Sequence, residues 1–168
     1  MPHVTPQQLL SQFDEWSLGV TTHDHKPVFT VDDHDPVVDA LPGAHCKSLF
    51  LKPEKTDEYY LVVMLGQDRL DLKQMHKALN CRRFSFASAE ELQEIMGVIP
   101  GSVTPFGLIN DTAKDVVVIL DKKMLEHELL NYHPLQNNQT TAIAKEDFMK
   151  FIELVGHRPL IMDIPKRV

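Results

Sequence analysis

Only two cysteines, Cys46 and Cys81, occur in the 168 residues, too few for a disulfide scaffold and in no metal-type pairing, so reduced thiols are expected. No stretch approaches the ~18 uninterrupted apolar residues of a membrane span. The opening MPHVTPQQLLSQFDEW lacks a basic segment followed by an apolar one, so a cytoplasmic protein without a membrane partner is expected. Positive charge is also scarce. With 17 Lys+Arg against 24 Asp+Glu the formal net charge is −7, which argues against a protein that grips long nucleic acid such as DNA by phosphate neutralisation alone. Neither GxGxxG nor GxxxxGK[ST] occurs, so nucleotide-cofactor folds are disfavoured and no cofactor is expected. Internal repeats and low-complexity segments are lacking as well.

What is present is ordinary globular composition, 43% hydrophobic and 24% charged, enough for one core and read as a single domain over residues 1–168. Thr5-Pro6 starts an amphipathic helix carrying Leu9, Leu10, Phe13 and Trp16, which Gly19 should end. HDHKPVFTV suggests a short strand, and Asp35-Pro36 a brief helix closed by Pro42-Gly43. His45–Lys52 and Tyr59–Leu65 predict an antiparallel hairpin. A helix is expected from about Leu70 to Leu79 with its basic side in solvent, then the strand Phe84-Ser85-Phe86 and a helix capped by Ser88 with Glu91 three positions on. Further strands are predicted at Val116–Leu120, Leu129–His133 and Gln139–Ala144, with a helical turn over Lys122–Glu128, a helix at Lys145–Val155 and an edge strand at Pro159–Met162. Hairpins are too frequent for repeated βαβ units. The predicted fold class is α/β: a mixed, largely antiparallel sheet or partial barrel bordered by helices.

Several stretches carry chemistry. Ile99–Leu108 (IPGSVTPFGL) packs two prolines and two glycines into ten residues and adds the hydroxyls of Ser102 and Thr104, a shaped loop whose amides are candidates to face a ligand. In HCKSLFLK, period-two alternation puts His45, Lys47, Leu49 and Leu51 on one face and Cys46, Ser48, Phe50 and Lys52 on the other. Lys47 is thus either a snorkelling lysine or an electrostatic clamp at a pocket mouth, and Cys46 reads as a structural thiol. NYHPLQNNQTT is either a long polar turn or a segment in which His133 positions a hydroxyl or a water. His23, Asp24, His25, Asp32, Asp33, His34 and Asp35 are ligand types in loops without HExxH or cysteine pairs, and no metal is expected. A triad from Ser102 and His133 is set aside, because GSVTPFG is not a GxSxG elbow.

LPGAHCKSLFLK, GSVTPFGL and NYHPLQNNQTTAI, in this order, resemble the YbaK/ProX family of prolyl-tRNA-synthetase-associated editing domains over nearly the whole chain. The resemblance is strongest to the freestanding branch that hydrolyses Ala-tRNA(Pro). It implies a deacylase acting in trans on mischarged tRNA(Pro), with prolyl-tRNA synthetase as a further candidate partner. Lys47 matches the family's essential lysine, Gly101 and Ser102 the loop around the aminoacyl ester, and His133 the histidine of the HPL segment. Ser48, Val103, Thr104 and Thr141 are then the expected substrate-binding residues. Ser48 departs from the asparagine that usually follows the lysine. Lys73, Lys77, Arg82 and Arg83 become the expected tRNA contacts, with Arg83 matching an arginine that reads the stem end. Ester hydrolysis of this kind needs a positioned water and oxyanion donors, and the substrate's vicinal hydroxyl and amine help orient that water, so no protein nucleophile is required. Alanine should fit where the larger proline ring is refused. A Cys- or Ser-tRNA deacylase and a non-catalytic tRNA- or synthetase-binding module are the competing readings.

Overall fold

The computed structural model describes residues 2–28 and 35–168. Helix α1 (Pro6–Glu15) begins at a capping box in which Thr5 accepts from Gln8 N while the Gln8 side chain accepts from Thr5 N. It buries Leu9 and Phe13. Ser17, at φ 56°, closes it instead of Gly19, because Leu18 N reaches back to Phe13 O at 2.9 Å and turns the chain two residues early. Strand β1 (Val20–Asp24) and the short α2 (Pro36–Asp39), capped by Asp35, follow. The hairpin is β2 (Ala44–Pro53) with β3 (Tyr59–Leu65), in register Cys46↔Leu65 through Leu51↔Tyr60.

The expected helix from Leu70 begins later. Leu70 belongs to a two-residue strand, β4 (Arg69–Leu70), paired with β10 (Lys166–Arg167), and Asp71 caps α3 (Leu72–Ala78) by accepting from Gln74 N. The cap takes over where the strand pairing ends. Strand β5 (Phe84–Phe86) leads to α4 (Ala89–Met96), whose Ser88/Glu91 capping box is present as predicted and whose end is Gly97 in the left-handed region. The Pro/Gly segment then forms a 3-10 helix, Pro105–Asn110. After it come β6 (Val116–Asp121), a 3-10 turn at Met124–Glu126, β7 (Leu129–Tyr132), β8 (Gln139–Ala144), α5 (Lys145–Leu154) and β9 (Leu160–Met162).

The larger sheet runs β1-β8-β7-β2-β3-β6-β9, with β5 added beside β2, and mixes antiparallel and parallel pairs as expected. Two apolar clusters cover its faces. The main one joins Phe50, Leu61 and Val63 to α1, α4, α5 and the 3-10 segment through Phe13, Leu92, Phe106, Phe148 and Phe151. The second joins Leu51, Val62 and Met64 to Leu70, Met75 and Phe84 beside α3. Among the described residues no helix is long and apolar enough to cross a membrane.

Candidate functional site

The alternation read from HCKSLFLK is the one the structure shows. Ala44, Cys46 and Phe50 pack on the main cluster, whereas Leu49 and Leu51 pack on the second, placing Lys47 on the second face, opposite Met64. Register extends this face across the sheet. Ala44↔Leu130 and His45↔Asn131 are the only parallel bridges between β2 and β7, and Asn131↔Ala142 and Tyr132↔Thr141 continue into β8. His45, Lys47, Asn131, His133, Thr140 and Ala142 therefore share one face. Beyond His45 the same edge of β2 next pairs with β5, at Leu51–Pro53. Residues 46–49 have no strand partner on that side, so β2 and β7 fork apart after their second bridge, His45↔Asn131. Lys47 and His133 each lie two residues past that bridge, at equivalent positions on the two arms.

The electrostatics of the pair are specific. Lys47 is half-buried and makes no hydrogen bond or ion pair with any described residue; the nearby Asp68 is held instead by Lys123, at 3.1 Å. Burial pulls the Lys47 amine below its ordinary pKa of 10.5, against the opposing pull of Asp68. His133 Nδ1 lies 3.0 Å from Gln139 O. A carbonyl only accepts, so Nδ1 carries the proton and Nε2 is left as the acceptor. Burial, reinforced by His25 and opposed by the Gln139 bond, lowers its pKa below 6.5 and keeps the ring neutral near pH 7. His25 stands alongside, ring centroids 6.3 Å apart. Its Nδ1 donates to Lys26 O and its Nε2 accepts from the Thr140 hydroxyl, both at 2.7 Å.

Burial pushes the Cys46 thiol up to about 12, which fits the structural thiol expected from the sequence. The other expected site residues are distributed unevenly. Ser102 is buried and its N–H donates to Ile99 O, Gly101 is half-buried at φ 93°, and the half-buried Val103 packs on the main cluster, where Val98, Phe106 and Leu108 anchor the loop. Two of the expected substrate-binding residues have their hydroxyls bonded within the protein. Thr104 is fully buried and its hydroxyl caps the 3-10 helix by accepting from Phe106 N, so it is a loop-forming residue. Thr141 is also fully buried, shares a 2.7 Å hydroxyl bond with Thr22, and by register lies on the main-cluster face, away from Lys47 and His133. Ser48 lies on that face too, with its Oγ buried and unpartnered.

The expected tRNA contacts Lys73, Lys77, Arg82 and Arg83 are all exposed. Lys73 and Arg83 line a groove of about 600 Å³ with Leu72, His76 and Phe84. Phe84 also belongs to the second cluster, so this basic groove is built on the face that carries Lys47. Sequence reasoning overlooked Asn131 and Thr140 and considered His25 only as a metal-type ligand. The signal for the first two was polar side chains at alternate positions of strands buried on both faces. No group of three or more His, Cys, Asp or Glu is placed to hold a metal among the described residues, while Asp32, Asp33 and His34, together with part of the HDHKPVFTV strand, lie outside them.

Residues 25–151 match the model of the aminoacyl-tRNA editing domain. The chain is 30% identical over 151 residues to the prolyl-tRNA editing protein ProX of Acetoanaerobium sticklandii, covering 90% of this chain and 92% of that one. It is 36% identical over 147 residues to the prolyl-tRNA synthetase associated domain-containing protein 1 of Bos taurus, covering 85% of each. Its fold matches the crystal structure of a candidate trans-editing enzyme for prolyl-tRNA synthetase with a TM-score of 0.71 at 19% identity, over 97% of both chains. With the family model spanning most of its length and these relatives matched nearly end to end, the chain belongs to the aminoacyl-tRNA editing domain family.

Proposed function

We propose that this chain is a hydrolase of mischarged tRNA(Pro), with Ala-tRNA(Pro) its preferred substrate. The observation that carries the reading is the pair Lys47 and His133 at equivalent positions on the two arms of the β2/β7 fork, one a half-buried amine and the other a neutral imidazole with Nε2 as its acceptor, neither atom partnered among the described residues. Water attacks the ester carbonyl while His133 Nε2 accepts its hydrogen, directly or through the substrate's vicinal hydroxyl. The Lys47 ammonium faces the developing oxyanion, and the backbone around Gly101 and Ser102 closes the acyl end. The new C–O bond comes from water, the bond to the terminal ribose oxygen breaks, and that oxygen takes the proton as free amino acid and tRNA leave. No acyl-enzyme forms, in keeping with the unreactive Cys46.

The basic groove with Lys73 and Arg83 receives the acceptor end, where an arginine can pair bidentately with guanine. Such local gripping needs no net positive charge on the whole chain. The work is translational and cytoplasmic, with prolyl-tRNA synthetase as a candidate partner. The test is a side-by-side assay of tRNA(Pro) charged with alanine, cysteine, serine and proline. Fastest release of alanine with proline spared is the expected result. Fastest release of cysteine or serine moves the acyl assignment, and binding without cleavage of any ester overturns the enzymatic reading.

A further inference from the structure

The fork itself is held by very little. β2 and β7 share two bridges, after which no further strand pairing joins the arm carrying Lys47 to the arm carrying His133, although the Cys46 thiol still meets Tyr132 on the opposite face. Asn131, 2% exposed, sits at the last bridge on the same face, and its Nδ2 donates to Pro42 O at 2.9 Å and to Ala44 O at 3.3 Å. Two carbonyl acceptors settle which end of the amide carries the hydrogens. Its Oδ1 is buried with no partner. A residue selected for packing alone would be apolar here, since a half-satisfied buried amide is costly. What this amide achieves is to bind the turn that launches β2 to the strand that ends in His133. Gly43 sits within the same turn at φ 95°, and a Cβ there would come within 2.9 Å of Leu129 O and 3.0 Å of Asn131 Nδ2, so the turn is pressed against β7.

We propose that Asn131 is a positioning residue that sets the spacing of Lys47 and His133 across the fork. The inference rests on the hydrolase reading above. Small displacements of reacting groups lower turnover steeply without changing how the rest of the substrate is held. The tRNA body, gripped at the Lys73/Arg83 groove, should dock as before. The experiment measures steady-state kinetics on Ala-tRNA(Pro) with wild type, Asn131→Leu and Gly43→Ala, the last pushing the turn off β7 from the opposite side. The expected result is kcat lower by roughly ten- to a hundredfold with KM within about twofold, in both variants. Wild-type kcat in a folded Asn131→Leu overturns the proposal. Should that variant not fold, Gly43→Ala decides: reduced kcat at unchanged KM supports the proposal, and wild-type kcat overturns it. An inactive wild-type protein removes the hydrolase reading and this one with it, whereas active wild type with unaffected variants removes this one alone.

Discussion

Two lysines five residues apart on the same strand meet opposite fates. Lys52 reaches Glu91 at 2.7 Å, sits 5.4 Å from the centre of the Tyr59 ring and has its pKa raised, first by the hydrogen bond to Glu91. Lys47, on the other face, has no partner among the described residues and its pKa is lowered by burial. The difference separates a charge committed to the fold from the charge that the proposed hydrolysis would use. An amine that is half out of water and unpaired is destabilising in the free protein, and such a group persists where a substrate supplies the missing negative charge.

The sharpest way to break this comparison is to remove each amine. Lys47→Ala should lower deacylation by about a hundred- to a thousandfold, the loss typical of an oxyanion donor, while leaving the folded state intact by circular dichroism. Lys52→Ala should leave kcat/KM within about twofold and lower the melting temperature instead. Equal activity losses would end the distinction.

His133→Gln should cost roughly a hundredfold in kcat, the lower range for general-base assistance. In the wild type, activity should decline as pH falls through the lowered His133 pKa, below 6.5, because protonation blocks the Nε2 acceptor. That acid limb should be missing from the residual activity of the variant. A smaller effect is expected of Arg83→Ala, which should raise KM several-fold with kcat unchanged and weaken discrimination at the base it pairs with, read from KM on acceptor-end variants of the tRNA.

The smallest effect concerns stability on the Lys52 side. Glu91 is held at about 2 by its bonds to Lys52, Tyr59 and Ser88, against an ordinary 4.5. A carboxyl with a depressed folded pKa stabilises above its unfolded value, so this contribution should be present above pH 4.5 and fade as pH falls toward 2. Urea denaturation across that window should show a shallower decline for Glu91→Gln than for the wild type.

Much of the local structure could be read before any coordinates. Strand alternation in HCKSLFLK put Lys47 opposite Cys46 and beside Leu49, and the capping signals at Thr5 and Ser88 marked true helix starts, because caps and periodicity act within a few residues. The two-residue strands β4 and β10 escaped notice, since two residues carry no period and pair across almost a hundred positions. Thr104 and Thr141 are expected as substrate contacts from the family resemblance. The fold gives one hydroxyl to a helix start and the other to Thr22.

By itself the sequence determined the alternating faces, the helix starts capped by Thr5 and Ser88, the family and the identity of the charged and polar groups, all properties of adjacent residues or of a motif's order. Only the tertiary structure decided that Lys47 and His133 lie at equivalent positions on the two arms of a fork, that Asn131 ties the start of those arms together, and that Asp68 goes to Lys123 rather than to Lys47. Those outcomes depend on parallel pairing between segments far apart in the chain and on competition for a single carboxylate, and neither leaves a trace in local spacing.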